Sequence, residues 1–465
     1  MNFFASTVLL LNLILLNSLT FAGPLELYFQ KFQEKQPALL TDKNIKETQF
    51  AQLIDHENPQ AGTFAQRYFL DESLSNQENA PVFLYICGEG ECSKRHLNGA
   101  IRHYAQKYHA KLIALEHRYY GQSLPVNSFT TDNLRYLSTT AALEDLAYFQ
   151  QKISQQHHWT GKWVAFGGSY AGSLAAYYRL KYPELVVGAL ASSGPVMAKE
   201  DFIEYDQHVT QVAGATCAKQ MRKVVKEVEA SLKDPKKLHK MKELFSATDV
   251  QDPKDFLYLI ADTGATAIQY GMRDKFCTYL ETRTNPVKGY ADFANYVYKL
   301  LNITAVEITA QGAINEEIDG YTSGVGMRQW YYQSCKEYGY WQNAHPNPSE
   351  STRSSLINLD YHQQICSRLF GITEPADTQN FNNHYYLPLM DESVTNIYFT
   401  NGSTDPWSKL SISEENGNTT NANLTYELIQ GAAHCDDLGG PTGKDSDAIV
   451  QAREKMDQLL MKWLQ

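Results

Sequence analysis

The chain has 465 residues, 43% hydrophobic and 12% aromatic, and its 41 Lys and Arg against 52 Asp and Glu give a net charge of −11. This length exceeds what one hydrophobic core usually holds, so a large domain carrying a substantial insertion is expected. The acidic balance, with no basic stripe to follow a phosphate backbone, excludes nucleic acid as a partner.

Residues 1–22 carry no charged side chain, the run Val8 to Leu16 is almost wholly apolar, and Thr20, Phe21 and Ala22 offer a small-x-small cleavage site. The pattern predicts a signal peptide over 1–22. Its apolar run is short for a span of ~20 residues, so no stable membrane insertion is expected. Delivery to the exterior or to a lysosomal or endosomal lumen would allow disulfides among the seven cysteines, all beyond residue 22. Sequons at Asn302, Asn418 and Asn423 suit glycosylation there, and Asn401 heads a fourth in a proposed active-site loop. No CxxC pair or His-rich cluster has zinc-ligand spacing, so no structural metal is expected.

Pro81 to Cys87 and Lys111 to Leu115 are short apolar runs ending in Gly-rich or charged loops, as buried parallel strands do. Ala142, Leu143, Leu146, Ala147 and Ile153 then recur at helical spacing, and Trp163 to Phe166 is again strand-like. Ser169 follows at once, before an Ala- and Tyr-rich helical stretch stopped by Pro183; Val186 to Ala191 supplies the next strand. This alternation predicts an α/β fold with a mostly parallel sheet covered by helices. After about residue 197, Met221, Val224, Val225, Val228 and Leu232 keep a helical period, and strand runs become scarce until about 390. Strands return at Val394 to Thr400 and Leu424 to Ile429, and a terminal amphipathic helix carries Ile449, Met456, Leu459, Leu460 and Trp463 inward. The expected division is a first core part at 23–196, a helical insertion at 197–388 and a second core part at 389–465. A secreted insertion gains from cross-links, which predicts local bridges Cys217–Cys277 and Cys335–Cys366; Cys87 and Cys92 form a third, leaving Cys435 as the odd thiol.

Gly167-Gly168-Ser169-Tyr170-Ala171-Gly172 joins a strand to a helix, where a serine can be held in strained geometry. A serine nucleophile needs a base, and the base an orienting carboxylate; in an α/β-hydrolase these follow in the order Ser, Asp, His. Asp405 follows the strand ending at Thr400, and His434 is the only histidine after it. The 236 residues between Ser169 and Asp405 hold the insertion, which is expected to lie over the strand ends as a lid. The Tyr170 N–H, with that of Glu89 or Gly90 after the Pro81 strand, is the expected oxyanion hole. The Glu89 carboxylate is either a contact for a substrate's amino terminus or a solvated loop acid.

Through Gln66-Arg67-Tyr68-Phe69, Glu116-His117-Arg118-Tyr119-Tyr120-Gly121, Leu134-Arg135-Tyr136-Leu137, the Ser169 turn, Asp405-Pro406-Trp407 and the His434 loop, the chain resembles a known family. It is the serine peptidase family that includes prolyl carboxypeptidase, dipeptidyl peptidase II and thymus-specific serine protease. The resemblance implies an α/β-hydrolase core with a large helical insertion, no cofactor, and exopeptidase action on peptides, as a carboxypeptidase or a dipeptidyl peptidase, commonly beside proline. It also implies that Trp330, Tyr332, Gln333, Glu337 and Trp407 line the substrate pocket. Gly88-Glu89-Gly90, and Cys435 directly after His434, are more similar to the thymus-specific branch, so strict proline preference is not implied. Another serine hydrolase, such as a lipase or thioesterase, and a catalytically silent binding protein on the same scaffold stay open, as does a homodimer.

Overall fold

The structure is a computed structural model that describes residues 43–318 and 326–465; the expected signal peptide lies outside the described residues. Its strands are β1 (Lys46–Leu53), β2 (Thr63–Asp71), β3 (Val82–Ile86), β4 (Lys111–Leu115), β5 (Trp163–Gly168), β6 (Gly188–Ser192), β7 (Lys199–Asp201), β8 (Gly339–Trp341), β9 (Ile397–Gly402) and β10 (Thr425–Ile429). Eight of them form one sheet in the order β1-β2-β4-β3-β5-β6-β9-β10. It is parallel from β4 to β10, with β1 and β2 joining antiparallel at one edge.

Side chains alternate across a strand, so the central runs serve two cores at once. Val82, Leu84, Ile86, Ile113, Leu115, Ala165, Ala189 and Ala191 face helices Thr139–His157 and Ser169–Lys181. Phe83, Tyr85, Leu112, Ala114, Val164, Phe166, Leu190 and Tyr398 face helices Ala100–Tyr108 and Asp447–Leu464. Burial on both faces is why these strands read as continuous apolar runs. This is the α/β-hydrolase core expected from the sequence. The terminal helix buries Ile449, Met456, Leu460 and Trp463 as expected, with Leu459 only partly covered.

Between β7 and β9 the chain is mainly helical. Helices Pro235–Leu244, Pro253–Gln269 and Pro286–Leu301 each start with proline at the first position and an Asp or Asn cap: Asp234, Asp252 and Asn285 accept N–H groups from the first turn. The apolar faces of these helices pack on the helical segment Ile203–Ser231, which is kinked at Gly214 (φ 79°, ψ 162°) and buries Met221, Val224, Val225 and Val228. The ladder β7·β8 ties the front of this segment to its middle, pairing Lys199 with Gly339 and Asp201 with Trp341.

Cys217–Cys277, Cys335–Cys366 and Cys87–Cys92 are bridged, and buried Cys435 carries no disulfide. The Cys217–Cys277 bridge joins helix Ile203–Ser231 to helix Arg273–Thr282 over a separation of 60 residues. Replacing both cysteines by alanine should lower the unfolding free energy by about 2–4 kcal/mol. Denaturant titration of that double variant, compared with wild type, checks the figure. Among the described residues no helix is long and apolar enough to cross a membrane. Asn302 and Asn423 are exposed, Asn418 donates its amide nitrogen to Tyr386 and Ser411, and Asn401 is buried within β9, out of a glycan's reach.

Candidate active site

The parallel register sets Gly168 at the end of β5 beside Ser192 on β6, and Ser192 beside Thr400 on β9; Gly402 on β9 pairs with Ile429 on β10. Chains leaving β5, β9 and β10 therefore emerge on one edge of the sheet. Ser169 is the first of them. It begins helix Ser169–Lys181 with φ 54°, a left-handed conformation that costs a residue with a Cβ about 1–2 kcal/mol. Two glycines allow this turn. A Cβ on Gly167 would lie 2.0 Å from the Ala171 carbonyl oxygen, and one on Gly172 would lie 2.7 Å from that of Ser192. The Ser169 side chain has no exposed surface, and its hydroxyl has no hydrogen-bond partner among the described residues.

Asp405 leaves β9 as the cap of a single 3-10 turn, Pro406–Leu410. One carboxylate oxygen accepts the Trp407 N–H at 3.0 Å, and the other lies 2.7 Å from His434 Nδ1. With Nδ1–H facing the carboxylate, Nε2 is the ring atom that carries the basic lone pair. Burial opposes a charged imidazole here, but the Asp405 charge, aided by Cys435 and the hydrogen bond to Asp405, outweighs it and holds the His434 pKa well above its ordinary value. The His434 loop is fastened to neighbouring strand ends. Cys435, at φ 58°, donates its N–H to Ser193 Oγ at 3.0 Å. Asp437 accepts from Ser192 Oγ at 2.5 Å and from Thr400 Oγ1 at 2.7 Å. From the helical segment, the Gln269 carbonyl accepts the His434 N–H at 3.0 Å, and the Tyr270 ring meets the imidazole edge-on at 5.8 Å.

The loop after β3 lies against the same turn: a Cβ on Gly88 would contact Ala171 Cβ at 3.4 Å and Tyr170 Cδ1 at 3.7 Å. Glu89 and Gly90 are buried, which overturns the solvated-acid alternative for Glu89. Glu116 holds this loop from behind, accepting the Cys92 N–H at 2.9 Å and pairing with Arg67 at 2.5 Å. The Tyr170 hydroxyl accepts from Gln333 Nε2 at 3.0 Å and donates to His117 Nε2 at 3.0 Å, since His117 Nδ1–H is committed to the Arg118 carbonyl at 2.7 Å. Burial lowers the His117 pKa to about 4, which keeps it a neutral acceptor.

The residues expected to line a pocket separate into two groups. Trp330 packs on the Tyr170 ring at 5.5 Å, Gln333 bonds its hydroxyl, and Glu337 accepts from Thr139 N–H at 3.1 Å and Thr139 Oγ1 at 3.0 Å. Burial raises the Glu337 pKa to about 7, against the hydrogen bonds from Tyr338 and Thr139. Tyr332 instead meets Phe370 edge-to-face at 5.5 Å. Trp407 has no exposed surface at all: Phe202, Tyr205 and Tyr340 enclose it at 5.3–5.5 Å between centroids, so it packs beneath the Asp405 turn and offers no open wall. Apolar rings next to a functional loop are as useful for fixing it as for meeting a ligand, and type alone does not separate the two uses. Gln269 and Tyr270 carried no sequence signal, since they end an ordinary apolar helix.

A buried imidazole aligned by a carboxylate, on the same sheet edge as a serine in left-handed geometry, offers a base and a nucleophile of the types that acyl transfer uses. Among the described residues the one group of metal-ligating types is Cys87, Cys92 and His96, and its two sulfurs are joined to each other. Compared with known proteins, residues 52–456 match the family described as Serine carboxypeptidase S28. The chain is 36% identical over 440 residues to "Probable serine protease EDA2" of Arabidopsis thaliana, covering 89% of this chain and 88% of that protein. It is 32% identical over 437 residues to the thymus-specific serine protease of Mus musculus, with 86% and 84% covered. Identity to the lysosomal Pro-X carboxypeptidase of Bos taurus is 27% over 447 residues, with 86% and 84% covered.

Proposed function

This chain belongs to the serine carboxypeptidase S28 family and is a serine-type peptidase, and we propose that it is an exopeptidase of short peptides working through Ser169, His434 and Asp405. His434 Nε2 takes the proton of Ser169 Oγ as that oxygen attacks the scissile carbonyl carbon. The tetrahedral oxyanion is held by the N–H of Tyr170 and that of Gly90 or Glu89. His434 then gives the proton to the leaving amine, and an acyl group stays on Ser169. Water, deprotonated by the same nitrogen, attacks the ester and restores the serine. Asp405 keeps Nδ1 protonated and stabilises the imidazolium during each transfer.

The observation that supports this most is the buried 2.7 Å Asp405–His434 pair, on the same sheet edge as the left-handed Ser169. Size selection follows from closure: Ser169, Asp405 and His434 have no exposed surface, so substrate entry requires the covering segments to move, and a small opening suits short chains. We place proline or a small residue before the scissile bond, since the proline nitrogen has no N–H to satisfy and a closed site favours compact residues. The Pro-X carboxypeptidase relative agrees with this. The three disulfides suit an oxidising compartment, and we infer secretion or lysosomal residence.

A panel of short peptides with free or blocked ends, run beside casein, tests the substrate class. Efficient cleavage of short free-ended peptides is expected. A blocked amino end stops a dipeptidyl peptidase, and a blocked carboxyl end stops a carboxypeptidase. Efficient internal cleavage of casein with no action on the short peptides would overturn the exopeptidase assignment and leave the serine chemistry standing.

A further inference from the structure

Gln269, the last residue of helix Pro253–Gln269, is fully buried and touches both loops that supply Asp405 and His434. Its backbone carbonyl accepts the His434 N–H at 3.0 Å. Its side-chain oxygen accepts Trp407 Nε1–H at 3.1 Å, and Trp407 in turn gives its backbone N–H to Asp405 Oδ1 at 3.0 Å. Asp405 Oδ2 closes the path on His434 Nδ1 at 2.7 Å. Four hydrogen bonds thus form a closed ring, Gln269–Trp407–Asp405–His434–Gln269, and only Gln269 lies outside the strand-end loops. We propose that Gln269 is a positioning residue that locks the Asp405–His434 pair, so that the placement of the helical segment over the site sets the basicity of the imidazole. This rests on the assignment of Ser169, Asp405 and His434 given above.

The chemistry of the ring supports the inference. The Gln269 amide is held in one orientation, because its oxygen also accepts the Tyr205 hydroxyl at 2.7 Å while its nitrogen donates to the Tyr270 hydroxyl at 2.9 Å. A fixed oxygen fixes the Trp407 indole, and the indole fixes the turn on which Asp405 sits. The Tyr270 ring, next in the chain, bounds one side of the imidazole. The other ionisable groups facing His434 are Asp405, Cys435 and Asp436, while His208 approaches the Asp405 loop through the Ser403 carbonyl at 3.1 Å. Of these groups, Asp405 is the one that the Gln269 side chain reaches, through Trp407.

The test uses Gln269→Met, which keeps length and bulk but removes the side-chain oxygen. The pH dependence of Ser169 labelling by a fluorophosphonate probe is measured together with kcat and KM on a cleaved short peptide. The expected result is a kcat loss of about 10- to 100-fold with KM within about 3-fold, and a labelling midpoint moved to lower pH, because a loosened Asp405 supports the imidazolium less well. Trp407→Phe, which deletes the donor from the ring and keeps an aromatic side chain of smaller size, should move the midpoint the same way and serves if Gln269→Met does not fold. Tyr361→Phe removes the 2.9 Å hydrogen bond to Asp255 at the far end of the same helix without touching the ring, and should leave the midpoint in place. A wild-type midpoint and kcat in both folded ring variants, or an equal shift in Tyr361→Phe, would overturn the positioning role while Ser169 labelling keeps the triad intact. Undiminished labelling of Ser169→Ala would instead remove the triad and this inference together.

Discussion

Ser169→Ala is expected to lower kcat/KM by about 10⁴- to 10⁶-fold and leave a folded protein. Both halves of the result follow from the local structure. The hydroxyl has no hydrogen-bond partner among the described residues, so its deletion strands no buried donor or acceptor. Alanine meets the same left-handed φ of 54° that serine does, so the turn costs the same before and after. Thermal unfolding should therefore be close to wild type while fluorophosphonate labelling disappears. Turnover near the wild-type value in the purified variant would sink the nucleophile assignment.

Asp405→Asn is expected to cost about 10⁴-fold in kcat/KM, because an amide beside Nδ1 stabilises neither the required tautomer nor the imidazolium. It should also change the shape of the pH profile. In the wild type the His434 pKa is held above its ordinary value, so kcat/KM falls as pH drops through a midpoint above about 6.5, where the imidazole gains a proton and stops acting as a base. Removing the carboxylate charge leaves burial unopposed by Asp405, and burial disfavours the imidazolium. The midpoint then moves to lower pH. Stability follows the same linkage: a raised histidine pKa stabilises the fold fully below the unfolded value of about 6.5, and that contribution is lost as pH rises through the folded value. The stability gap between wild type and Asp405→Asn should accordingly be widest in acid and close as pH rises. Titrating kcat/KM and the unfolding midpoint of both proteins checks the two trends, and a variant midpoint at or above that of the wild type would contradict them.

Closure of the site sets how these measurements are read. Since Ser169, Asp405 and His434 have no exposed surface, substrate and probe both report on opening as well as chemistry. A lower labelling rate at unchanged pH midpoint indicates impaired opening, whereas a moved midpoint indicates a changed imidazole. The Gln269 and Asp405 variants are distinguished from general loosening of the helical segment by the second quantity.

The sequence by itself determined the central sheet, because strands buried on both faces must be apolar throughout: β4 occupies the run Lys111 to Leu115, β3, β5, β6 and β10 fall within two residues of their expected ends, and β9 within three. It also singled out Ser169, Asp405 and His434 as candidates, because strand–turn–helix chemistry around Ser169 and the position of the last histidine follow chain order, and the structure pairs the last two at 2.7 Å. The antiparallel edge was not legible. β1 reads Lys-Glu-Thr-Gln-Phe-Ala-Gln-Leu, a half-exposed strand whose polar residues blur the apolar alternation. Only the tertiary structure decided the uses of the aromatic and amide side chains. Trp330 and Gln333 go to Tyr170, Trp407 goes under the Asp405 turn, and Gln269 joins that turn to His434, meeting Trp407 from 138 residues away along the chain. The physical reason is that a strand's pattern and a turn's glycines are local constraints written in adjacent residues. A buried hydrogen bond or ring contact between distant segments depends on how helices pack, and the residue types it uses are equally at home in any core.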